Sequence, residues 1–146
     1  MRDPKRLGRL LRVREVQRDI AQAQESQARG QLATAEQLVQ RIDQLVADQA
    51  PSEGFAHALT LAAGAVYRTR LTDSRVNAQG RVFNAERAVE MKVEATKSAR
   101  RDHNAMEKLV ERAKKQLAMQ EMRKLSDEMP SGRAGTKLAK EEAGRG

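Results

Sequence analysis

Apolar residues along this chain recur at intervals of three and four, the period of one helix face and not of a strand. The series is most regular in the second half. Steps of seven from Val82 reach Val89, Thr96, His103, Val110 and Leu117, and steps of seven from Ala78 reach Ala85, Lys92, Ala99, Met106 and Ala113. The two series interleave as the a and d positions of a heptad, so the stretch from about Arg81 to Met129 reads as a coiled-coil strand. Charges fill the other faces, with Glu111 four residues before Lys115 and Glu94 three before Lys97. Each such pair supports an isolated helix by roughly 0.2–0.5 kcal/mol.

The first half supplies a partner strand. Asp3 and Pro4 make a helix start, an N-cap acceptor followed by proline at the first helical position. Leu7, Leu10, Leu11, Val13, Val16 and Ile20 then recur at helical spacing, and the pattern resumes as Ala28, Leu32, Ala35, Val39, Ile42 and Val46. From Ile20 to Leu32 the apolar residues connect only in steps of four, through Gln24 and Ala28, which reads as a stutter. Gly30 weakens the same place by about 1 kcal/mol relative to alanine. Local unwinding is expected there.

Pro51, Ser52 and Gly54 form the strongest breaker cluster before the tail, with Ser52 able to cap a second helix and Glu53 suited to its positive end. The pattern therefore predicts a helix over about 4–48, a turn over about 49–53 and a helix over about 54–128. Gly64, Thr72 to Ser74 and Gly80 are weak points at which the second helix could instead break. Pro130 and Gly132 stop it, and residues 130–146 read as a disordered tail. The fold class expected is all-α, an antiparallel two-helix coiled-coil hairpin with an overhanging longer C-terminal helix, one domain over residues 1–129.

At about 1.5 Å per residue the helices would be about 65–70 Å and about 110 Å long. A tight turn then leaves the second helix with little opposite it from about Ala99 onward. Met106, Val110, Ala113 and Leu117 nonetheless continue the seam there, with Leu109, Met122 and Leu125 alongside, which implies an external partner. The seam itself is alanine-rich and interrupted by Lys92, Thr96 and His103, so the isolated hairpin is expected to be marginally stable. Near the turn, Phe55, Leu59, Leu61, Val66 and Tyr67 either close over Leu45 and Val46 or leave an aromatic anchor for a second protein.

Composition narrows the class. Of 146 residues 33% are charged, three are aromatic, and none is Cys or Trp. Without cysteine there is no disulfide framework, thiolate metal site or thiol nucleophile, which fits a reducing compartment. No apolar run approaches the roughly 18–20 residues that span a bilayer, and the basic N-terminus lacks the apolar region of a secretory signal. A cytoplasmic location is expected. The net charge of +8 calls for an acidic partner, whether nucleic acid, anionic membrane or an acidic protein surface. Positive charge gathers near the two sequence ends, around Arg9, Arg12 and Arg14 and around Lys108, Arg112, Lys115 and Arg123, while Glu36, Asp43, Asp48 and Glu53 mark a neutral-to-acidic middle.

Candidate chemistry is sparse. His57 and His103 lack the i,i+4 partner of a helical zinc motif, and His103 reads as a polar seam residue. There is no phosphate-binding glycine loop and no nucleophile beside a base. Glu86/Glu90, Glu90/Glu94 and Glu107/Glu111 fall one turn apart on solvent faces, without the Glu-x-x-His partners of a di-metal site. The expectation is a non-enzyme with no catalytic, cofactor-binding or metal-ligating residues and no cofactor.

The N-terminal run RLGRLLRVREVQRDIAQAQ, followed downstream by MEKLVERAKKQLAMQEMRKLSDEM, resembles the FliJ family of flagellar type III export proteins. Glu107, Leu109, Glu111 and Arg112 are similar to that family's E-K-L-x-E-R pattern, and Leu125, Asp127 and Glu128 to its L-x-D-E-like end. The resemblance covers most of Arg6 to Met129. It implies a γ-subunit-like stalk that inserts its paired helix ends into the hexameric export ATPase, promotes its assembly or turnover, and engages the export gate and chaperones. Such a protein would lie peripheral to the inner membrane at the flagellar base. The residues expected at the ATPase-facing end are Arg9, Arg12, Arg14, Lys108, Arg112, Lys115 and Arg123. The equivalent stalk of a virulence-type secretion system and a basic coiled-coil scaffold or nucleic-acid-binding protein are the alternatives.

Overall fold

A computed structural model describes residues 3–49 and 58–129. They form two helices, α1 (Pro4–Asp48) and α2 (Ala58–Glu128), packed antiparallel as an all-α hairpin, with no strand among the described residues. The start of α1 follows the sequence: the Asp3 carboxylate accepts the Lys5 amide at 3.1 Å and the Asp3 carbonyl accepts that of Leu7 at 3.1 Å, satisfying donors that a helix leaves unpaired. The chain divides into two compact units, a central one (Val16–Arg101) and a terminal one (Met1–Glu15 with Asp102–Gly146).

In the central unit the seam is an unbroken heptad on α1, and on α2 it is interrupted at exposed Arg75. On α1 the residues turned inward are Ala21, Glu25, Ala28, Leu32, Ala35, Val39 and Ile42. Facing them on α2 are Leu71, Ala78, Val82, Ala85, Val89, Lys92, Thr96 and Ala99. Alanine at so many of these positions lets the backbones approach closely. The Thr96 hydroxyl accordingly lies 3.2 Å from the Ala21 carbonyl of the opposite helix, and Thr96 and Ala78 are each only 2% exposed.

This seam corrects the expected stutter. Steps of seven back from Ala28 and Leu32 reach Ala21 and Glu25, so the face stays in register and passes through polar residues. Val16 and Ile20, expected to be part of it, are 55% and 51% exposed. Neither helix unwinds or breaks at Gly30, Gly64, Thr72 to Ser74 or Gly80. A single glycine costs about 1 kcal/mol in a helix, and buried neighbours such as Ala28 and Ala78 hold the helix across it. Near the turn, Leu61, Val66, Tyr67, Leu45 and Val46 are all exposed, so these side chains do not close over one another. Phe55, His57 and the remainder of the turn lie outside the described residues.

The register is set by the seam and not by a tight turn. Asp43 pairs with Arg75 at 2.9 Å, which brings Asp48 level with Arg70 and leaves the first three turns of α2 without α1 beside them. That offset lays Glu36, Asp43 and Asp48 alongside Arg68, Arg70, Arg75 and Arg81, and so neutralises the stretch that α1 alone presents as acidic.

In the terminal unit Leu7 is buried, as are His103 and Val110, while Leu11, Arg14, Met106, Leu109 and Ala113 are half-buried. Helix α2 is therefore partnered well beyond Ala99, contrary to the tight-turn arithmetic. Its unpartnered C-terminal part is shorter. Pro4 falls near Ala113, and after Gln120 every described residue is exposed.

Candidate partner-binding surface

All seven cations expected at a partner-facing end belong to the terminal unit. Their environments differ. Arg9 and Arg12 are exposed and share a shallow concavity on one face of α1 with Lys5 and Gly8. Residues one turn apart on a helix are neighbours, and like charges at that spacing repel by a few tenths of a kcal/mol, roughly. No acidic residue lies between Asp3 and Glu15 to relieve them. Leu10 and Val13, expected in the seam, are 44% and 51% exposed and add apolar surface beside these cations.

Arg14 occupies a seam position. Its guanidinium is 3.3 Å from the Asp102 carboxylate, with 42% of its side chain exposed. One residue on, the His103 Nε2 is 3.7 Å from a Glu15 carboxylate oxygen, and the imidazole is only 7% exposed. These two contacts tie α1 to α2, and Arg14 is engaged in holding the hairpin together. His103 takes the polar seam place that its spacing indicates.

Where α1 begins, Asp3, Pro4 and Leu7 form one wall of an open groove of about 530 Å³. Leu109, Arg112, Ala113 and Leu117 of α2 form the other wall. Arg112 thus lies beside apolar surface, while Lys108, Lys115 and Arg123 are exposed on α2. The antiparallel register brings Arg9 level with Lys108. Beyond the groove, Met122 and Leu125 are exposed along one face of the last turns of α2, and Met129 just past its end is exposed as well. The arrangement can recognise an acidic partner by charge and an apolar side chain by the groove.

In the central unit the polar seam residues Lys92 and Thr96, expected from the sequence, meet a polar partner on α1 that was not foreseen. The Glu25 side chain, 21% exposed, accepts two bonds from Arg29, at 3.0 and 3.2 Å. The Thr96 hydroxyl has one proton and three acceptors in reach: the Lys92 carbonyl at 2.9 Å, the Ala21 carbonyl at 3.2 Å, and the Glu25 carboxylate. Hydrogen bonding from Thr96, then from Arg29, holds the Glu25 carboxyl below its ordinary value of 4.5, with Arg29 and Arg100 adding favourable charge. Next to it the Lys92 ammonium donates to the Gln24 side chain at 3.3 Å. The signal for this layer was present in the sequence, because Glu25 stands seven residues before Leu32.

Among the described residues no three His, Asp or Glu side chains converge to hold a metal ion, and no helix is long and apolar enough to cross a membrane. No family model, curated protein or solved structure matches the chain.

Proposed function

We propose that the chain is a non-enzymatic coiled-coil stalk of a flagellar type III export apparatus, whose cationic helix start docks on acidic loops of the hexameric export ATPase. The observation that carries this reading is the run Lys5, Arg6, Arg9 and Arg12 on α1, with no acidic residue of that helix between Asp3 and Glu15, adjoining a groove whose far wall is α2. Arg9, Arg12, Lys108, Arg112, Lys115 and Arg123 meet the ring by charge, and Arg14 keeps the hairpin closed behind them. The apolar end of α2 engages the export gate or a chaperone. The protein then sits on the cytoplasmic side of the inner membrane at the flagellar base, peripheral to the membrane and held there by its partners. The similarity of Glu107, Leu109, Glu111 and Arg112 to the FliJ pattern supports the same reading, and a virulence-type stalk would use the same surface.

The test is the ATP hydrolysis rate of the export ATPase at physiological salt, with this protein and with its Arg9→Glu, Arg12→Glu, Lys108→Glu triple variant. Stimulation by the wild type that falls at least about tenfold in apparent affinity with the variant is expected. Equal effects of the two proteins overturn the assignment. The same cationic face favours a second reading, binding of a nucleic-acid backbone. That reading requires affinity for random DNA to survive at physiological salt and not merely at low salt.

A further inference from the structure

The apolar seam of the central unit does not distinguish one heptad register from the next. With Ala21 opposite Thr96, Ala28 falls against Val89, Leu32 against Ala85 and Ala35 against Val82. Moving α1 seven residues toward the start of α2 sets Ala21 against Val89, Ala28 against Val82 and Leu32 against Ala78. Moving it the other way sets Ala35 against Val89 and Val39 against Ala85. In every case a small residue meets a branched one, so packing barely changes. The first slide also has room, because the first three turns of α2 have no α1 beside them.

The charges do distinguish the registers. Four residues past Ala21 and four before Thr96, half-buried Glu25 and Lys92 come level. Glu25 accepts from Arg29 at 3.0 Å and from Thr96, and Lys92 donates to Gln24 at 3.3 Å. After the first slide Lys92 would face Arg18, itself half-buried, and Glu25 would face Ala85. After the second, Lys92 would face Leu32 and Glu25 would face Ala99. Either slide therefore sets a half-buried charge against a like charge or an apolar side chain, which is unfavourable.

We propose that this layer is a register lock: Glu25 and Lys92 hold the central unit in one of several heptad registers that its apolar seam accepts alike. A polar residue at a seam position fixes register in coiled coils generally. Here the matched pair sits among alanines and valines that would otherwise let α1 slide. One heptad displaces α1 by about 10.5 Å along α2. The lock is independent of any ATPase contact, because all its residues lie in the central unit.

The chain has no cysteine, so disulfide trapping of introduced pairs reads the register. Ala28→Cys with Val89→Cys reports the observed register, Ala28→Cys with Val82→Cys the first slide, and Ala35→Cys with Val89→Cys the second. A disulfide needs Cα atoms within about 7 Å, less than one heptad's displacement. With Glu25 and Lys92 in place, only the first pair is expected to close. With Glu25→Leu and Lys92→Leu the chain should stay helical by circular dichroism, while closure of at least one slid pair rises at least about tenfold. Lys92→Glu alone should favour the first slide, because the new carboxylate opposes Glu25 in the observed register and Arg18 after the slide. Closure confined to Ala28 with Val89 in both backgrounds overturns the proposal. So does closure of a slid pair with Glu25 and Lys92 in place. Loss of helix in the double-leucine chain overturns it as well, because the layer would then serve folding and not register.

Discussion

Thr96 is the residue on which the middle of the seam turns. Its hydroxyl is buried between helices and serves a carboxylate that is also held by Arg29. Because the Glu25 carboxyl is lowered in the folded state, the stability it contributes is present above its unfolded value of 4.5 and is lost as the pH falls through the lower folded value. Carboxyl-carbon NMR titration should place Glu25 below 4.5, and the contribution of Glu25 to thermal stability should decline on the acid side of that value. Thr96→Val should move the Glu25 carboxyl back toward its ordinary value. The variant should change the folding free energy by less than about 1 kcal/mol, because a methyl replaces the hydroxyl and the Ala21 and Lys92 carbonyls keep their own helix bonds. A large loss of stability on Thr96→Val would mean that the hydroxyl, and not the close approach of the helices, holds the seam there.

On the scale of the helix, α1 separates two apolar stripes that its sequence runs together. Leu7, Ala28 and Ile42 are buried, while Leu10, Val13, Val16 and Ile20 are exposed. Ile42→Ser should therefore cost about 2 kcal/mol or more by removing buried apolar surface, whereas Ile20→Ser should change stability by no more than about 0.5 kcal/mol. Denaturant melts of the two variants decide it, and equal costs would return Ile20 to the seam. Gly30→Ala is expected to stabilise by about 1 kcal/mol, since its backbone is helical and the added Cβ has open space.

The seam of α2 was legible as a run of sevens, and the start of α1 from Asp3 and Pro4. The α1 seam was not, because hydrophobicity marks a face only where the seam is apolar. Between Leu11 and Ala28 it passes through Arg14, Arg18, Ala21 and Glu25, and the eye follows Val13, Val16 and Ile20 instead.

At the scale of the whole hairpin, the pairing of α2 in the terminal unit should end where α1 begins, at Pro4. Removing residues after Gln120 is expected to leave the thermal midpoint within about 2 °C of the full chain, because every described residue beyond it is exposed. Ending the chain after Ala99 should lower the midpoint sharply, by removing buried His103 and Val110 and the partners of Arg14 and Glu15. The candidate surface was legible only as a set of cations. Sequence names Arg9, Arg12 and Arg14 alike, yet only the pairing of the helices puts Arg14 against Asp102 and leaves Lys5, Arg9 and Arg12 facing outward.

The amino-acid pattern by itself determined that this chain is two helices, where α1 begins and where α2 ends, and which face of α2 is its seam. Those properties depend on neighbours within a few turns, through capping, propensity and a repeat of seven. The tertiary structure alone decided how far one helix slides along the other, which polar residues are enclosed, and which apolar ones remain outside. Every slide by a whole heptad preserves the same local pattern. In the central unit the simultaneous fit of Ala21 to Thr96 and Asp43 to Arg75 selects one of them.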